Sequence, residues 1–161
     1  MRRIVDRWRR RVSGAAPLAR DVAGRPVSRR LQVATARFLA ITAYADADSI
    51  DAERRTLRRG IQQLFGIPRR EARRIVAQAE RQCTDWGEPA AQVRDGFGLE
   101  QRMRIMGLAW DLARADGLLP AFERVVAPQV GALAGLQPRE AQAARCYSGD
   151  VLSDVFATRS A

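Results

Sequence analysis

The chain has 161 residues, 47% of them hydrophobic, which is enough for one domain with a real core. Its net charge of +10 comes from 28 basic residues, all of them Arg, against 18 acids, and it contains no Lys, His or Asn. The missing His excludes Ser-His-Asp and Cys-His catalysis, His-based zinc sites and histidine proton shuttles.

The charge is unevenly spread. Residues 1–31 hold ten Arg against two Asp, residues 32–80 nine Arg against six acids, and residues 81–161 nine Arg against ten acids. At the N-terminus Arg2, Arg3, Arg7, Arg9, Arg10 and Arg11 surround Ile4, Trp8 and Val12 at helical spacing. That is the composition of an interfacial helix, suited to weak attachment to an anionic membrane surface. Each Arg near such a surface adds up to about 1 kcal/mol. A tail docked on a protein partner fits the same residues. Gly14, Pro17, Gly24 and Pro26 then read as a linker, so residues 1–27 are expected to separate from a helical domain at 28–161. No apolar run reaches membrane-spanning length and no apolar segment follows the basic start, so neither a transmembrane helix nor a secretory leader is expected. Cys83 and Cys146 lack a CxxC spacing and are expected as buried free thiols in a reducing cytosol.

Ser28 is a candidate N-cap for a helix of about 20 residues with Leu31, Ala34, Phe38, Ile41 and Ala45 as its buried stripe. An acidic stretch follows, and then a helix with Leu57, Ile61, Leu64 and Phe65 inward, ending at Gly66. Pro68 suits the first turn of the next helix, Arg69 to about Gln82, with Ala72, Ile75, Val76 and Ala79 inward. Thr84 to Gly98 is a connector with one short helix, Ala90 to Asp95, and Trp86 as a packing cap. Leu99 to Ala115 is a long helix with Met103, Met106, Trp110 and Ala113 inward. Pro120 begins another, which Pro128 should kink by removing a hydrogen bond. Pro138 starts the last, and a final amphipathic piece carries Val151, Leu152, Val155 and Phe156. No segment alternates with period 2, so the fold class is all-α, with about seven to eight helices.

One pattern occurs twice. Asp46 to Glu53 and Asp116 to Glu123 each run Asp, six residues, Glu. Each is followed by a helical stretch ending in Leu-x-Gly, at Gly66 and Gly135, and then by Glu-Ala, at Glu71-Ala72 and Glu140-Ala141. Two pseudo-symmetric repeats are expected, at about 30–82 and 99–147.

The first pattern puts Asp46, Asp48, Asp51 and Glu53 within eight residues, a carboxylate set suited to a hard cation such as Ca²⁺ or Mg²⁺. It is not an EF-hand, because Asp51 stands where that loop needs Gly. The competing and favoured role is helix capping by Asp48, Ser49 or Asp51, with Glu53 complementing the helix dipole. Asp116 and Glu123 form a weaker second set. Arg54/Arg58, Arg55/Arg59, Arg69/Arg73 and Arg70/Arg74 are like-charge pairs at i,i+4, each slightly destabilising to an isolated helix. Either neighbouring helices supply acids to them, the commoner arrangement, or they form a face for an anionic partner.

This layout resembles the tellurite-resistance TerB-like family over about residues 30–147. The resemblance is carried by Ala45-Asp46-Ala47 to Glu53, Ala115-Asp116-Gly117-Leu118 to Glu123, and the Phe65-Gly66-Ile67 and Ala134-Gly135-Leu136 segments. It departs where Ala47 replaces a usual Gly and where Pro120-Ala121 removes one carboxylate. The resemblance implies a helical bundle of two related units and an association with tellurite and stress resistance. In some members it implies divalent metal binding, and the fold also occurs beside DnaJ-type membrane-anchored co-chaperones. The expected function is a non-enzymatic cytoplasmic protein that docks onto a protein partner. The alternative is a scaffold or accessory subunit held by its basic arm at the inner face of the membrane or on an acidic protein. An enzyme is the third option, for which no nucleophile–base pair or cofactor fingerprint speaks. Neither a nucleic-acid partner nor a small-molecule substrate is expected.

Overall fold

The computed structural model describes residues 16–43, 50–82, 85–115, 117 and 119–147. The arm residues Arg2 to Val12, the loop acids Asp46, Asp48 and Asp116, Cys83, and the piece from Val151 to Phe156 lie outside them. The elements are helices α1 (Arg29–Ala43), α2 (Ile50–Phe65), α3 (Arg69–Arg81), α4 (Gly87–Gly96) and α5 (Leu99–Ala115). A short α6 (Leu119–Ala121), a π-helical segment (Phe122–Val126), α7 (Ala127–Leu133), α8 (Pro138–Ala143) and a 3₁₀ turn (Ala144–Tyr147) follow. Among the described residues no strand forms, only an isolated bridge between Arg20 and Pro26. The protein is an all-α helical bundle.

Ser28 caps α1 as expected: its hydroxyl accepts the Leu31 N–H at 3.1 Å. The helix is not amphipathic in the expected sense. Val33 through Ala40, Thr42 and Ala43 are all buried, while Leu31 and Ile41 from the expected stripe are only half-buried. Ala34, Ala36, Ala40 and Ala43 are small enough to admit neighbours on every side, and α2, α3, α4 and α5 all pack on α1. Its two buried threonines donate their hydroxyls to the carbonyls of Leu31 and Phe38, both at 2.8 Å. Leu57, Ile61, Leu64 and Phe65 of α2 are buried as their spacing requires, and Ala72, Ile75, Val76 and Ala79 of α3 are fully buried. Full burial of an Ile or Val contributes about 1.5–3 kcal/mol.

The two Leu-x-Gly turns close alike. Gly66 and Gly135 have φ of +63° and +72°, a conformation that L side chains resist. The next residue's N–H reaches back in each case, from Ile67 to Gln62 at 3.2 Å and from Leu136 to Gly131 at 2.8 Å. Arg102 adds a cation at the second turn, donating to the carbonyls of Ala134 and Gly135.

Four expectations change. Helix α4 is longer than Ala90 to Asp95, beginning at Gly87, whose N–H is held by Asp85 at 2.7 Å. Pro128 sits just past the π-helical segment, where Ala127 N–H bonds to Phe122; the wider register absorbs the donor that proline lacks. The stretch expected as a loose linker is docked from Ala16 onward. Leu18 is buried in the core and its N–H donates to Leu64 at 2.7 Å. Val22 N–H donates to Gly96, Gln101 donates to Arg20, and Arg104 to Ala16. The glycine and prolines make a tight turn, with Asp21 accepting the N–H groups of Ala23 and Arg25, and that turn packs across the bundle. Cys146 is half-buried and free rather than enclosed.

Candidate functional site

Helices α2 and α3 run antiparallel through the short turn at Gly66, which lays their outward faces side by side. The Arg stripes fall on those faces because Leu57, Ile61, Ile75 and Val76 take the inward ones. Between them lies an open groove of about 540 Å³, lined by Asp51, Arg54, Arg55, Arg58, Arg59, Gln62, Arg69 and Arg73. It extends about 16 Å along α2, eleven rises of 1.5 Å from Asp51 to Gln62. Of the eight arginines expected on this face, six line it, while Arg70 and Arg74 are exposed on α3 outside it. Gln62 was not anticipated; it follows Arg58 by one turn and so shares its face.

Acids reach only one end. Arg54 donates to Glu80 at 2.7 Å and pairs with Asp51 at 3.4 Å. No acid among the described residues pairs with Arg55, Arg58, Arg59, Arg69 or Arg73. Arg58 Nε is buried and has no hydrogen-bond acceptor. The neighbouring helices therefore supply an acid to one guanidinium in six, and the groove is a concentrated positive field.

The acidic set divides differently. Asp51 and Glu53 share the first turn of α2, but residues two apart lie on opposite sides of a helix. Asp51 has 85% of its side chain exposed at the groove rim, whereas Glu53 is 0% exposed in the core. They are not brought together, and among the described residues no group of three metal-ligating side chains forms. Glu123 is exposed at the surface, accepts from Gln142 at 3.3 Å and lies 3.9 Å from Arg145. Arg145 in turn stacks 5.7 Å over the ring of Trp110, whose Nε1 donates to Ala141.

No helix among the described residues is long and apolar enough to cross a membrane. No curated protein and no solved structure matches the chain. The family model described as tellurite resistance protein TerB matches residues 32–146, from α1 to the 3₁₀ turn, so the chain belongs to the TerB family.

Proposed function

We propose that the chain is a non-enzymatic docking protein that holds an anionic protein partner in the α2–α3 groove. The observation that carries this reading is the set of five guanidiniums, gathered in one concavity, that have no acid partner among the described residues. Like charges at i,i+4 each cost about 0.2–0.5 kcal/mol, and an incoming anion relieves that cost. The groove lining offers no nucleophile–base pair, so docking rather than bond chemistry fits it. Family membership supports a link to tellurite or stress resistance. The test is calorimetry of the full chain with octaglutamate peptide at low and high salt. Binding should weaken with salt and fall at least tenfold in Arg58→Ala/Arg73→Ala, while Arg74→Ala leaves it unchanged. Equal heats for all three proteins would remove the reading.

A further inference from the structure

We propose that the α2–α3 groove recognises phosphate, presented as a phosphorylated side chain on the partner segment it holds. This rests on the docking reading above and names the chemistry that the groove selects. Three features converge at the end formed by Arg58, Gln62, Arg69 and Arg73. Arg58, Arg69 and Arg73 line this end with no acid partner among the described residues, and a guanidinium offers two of its nitrogens as a fork matched to two oxygens of one oxyanion. Helix α3 begins there, and Pro68 at its N-cap position makes no side-chain cap, so the first-turn N–H groups of Arg69 and Arg70 have no side chain accepting from them. The positive end of that 13-residue helix adds to the field of the side chains. A phosphoryl group carries about −1.5 to −2 on three oxygens and meets several forks at once, which a carboxylate cannot do.

The lining carries no feature specific to other carriers of phosphate. It contains no aromatic side chain on which a nucleic-acid base could stack. It contains no apolar side chain to enter a lipid surface beside the headgroups. Its length of about 16 Å spans roughly five residues of extended chain, which is the size of a peptide segment around one modified residue.

The experiment titrates the full chain with the pentapeptide Ala-Ala-phosphoserine-Ala-Ala and with Ala-Glu-Ala-Glu-Ala, which has a similar charge. Inorganic phosphate and phosphatidylserine vesicles are run beside them. The phosphopeptide should bind at least tenfold tighter than the glutamate peptide. Arg58→Ala should lower that affinity at least tenfold, and Arg58→Lys, which keeps the charge and loses the fork, should restore only a minor part. Arg73→Ala, at an exposed site where folding is not at issue, should lower it several-fold. Equal affinity for both peptides overturns phosphate selection and leaves docking standing; binding of neither overturns both. Inorganic phosphate binding as tightly as the phosphopeptide overturns the protein source. Vesicle capture that is lost in Arg58→Ala, without phosphopeptide binding, overturns it in favour of lipid.

Discussion

Glu53 and Glu123 occupy matching places in the two Asp-to-Glu patterns, and the bundle treats them in opposite ways. Glu53 is sealed in the core at the first turn of α2, whereas 43% of the Glu123 side chain faces water. The neighbouring residue explains the difference. Ala52 is small and half-buried, which leaves interior space to Glu53. In the second half Phe122 takes the interior, edge-on to Trp110 at 4.8 Å, and the next residue along the helix is turned to the surface. A shared spacing therefore fixes where an acid falls along the chain, but the volume of the adjacent side chain decides whether it becomes a structural or a surface group.

The sharpest way to break this comparison is to remove each acid. Glu53→Ala should cost about 3 kcal/mol, because it empties a buried site and strands the groups that Glu53 holds. Glu123→Ala should cost less than about 1 kcal/mol, its contacts being solvent-exposed and screened. Urea midpoints of the two variants measure the gap, and equal midpoints would refute the assignment of roles. A second contrast concerns helix contacts. A Cβ on Gly131 would stand 2.6 Å from the Ala141 Cβ, which cannot rotate away, so Gly131→Ala should cost about 1–3 kcal/mol. On Gly60 it would meet the Cγ and both Cδ atoms of the buried Leu108, a side chain with other rotamers, and a helix-propensity gain of about 1 kcal/mol offsets part of the crowding. Thermal melting should thus rank Gly131→Ala well below Gly60→Ala. The smallest effect lies in the N-terminal turn. The Arg25 backbone N–H, more than any other partner, holds the Asp21 carboxyl below the ordinary value of 3.8. A carboxyl with a depressed pKa stabilises the fold above its ordinary value and loses that contribution as pH falls through the folded one. Asp21→Asn should therefore lower stability slightly at neutral pH, leave it unchanged at low pH, and so flatten the acid limb of the stability curve.

Much of the bundle was readable because helical periodicity reports burial directly. The bounds of α5, the four buried residues of α3, the Ser28 cap and the glycine at the end of α2 all follow from local rules. What was not readable depends on neighbours. A stripe pattern assumes water along one side of a helix, and α1 has almost none from Val33 onward, so its burial exceeds its periodicity. Gly and Pro mark a turn without saying whether it docks, and Leu18 alone has no period to betray it. The Arg stripes were visible, but only the packed structure shows that Glu80 reaches Arg54 and no further. The grouping of Asp51 with Glu53 followed proximity along the chain, although the helix register already placed them on opposite sides.

The docked turn at residues 16–28 also sets where the chain can be cut. The family match begins at residue 32, and a truncation placed there would look conservative. It would extract Leu18 from the core, strip Leu64 of its donor at the end of α2, and release the tie to Gly96 at the end of α4. Those two helix ends are some thirty positions apart in sequence, and the segment stitches them together before either helix begins. The smallest autonomous unit therefore starts no later than Ala16.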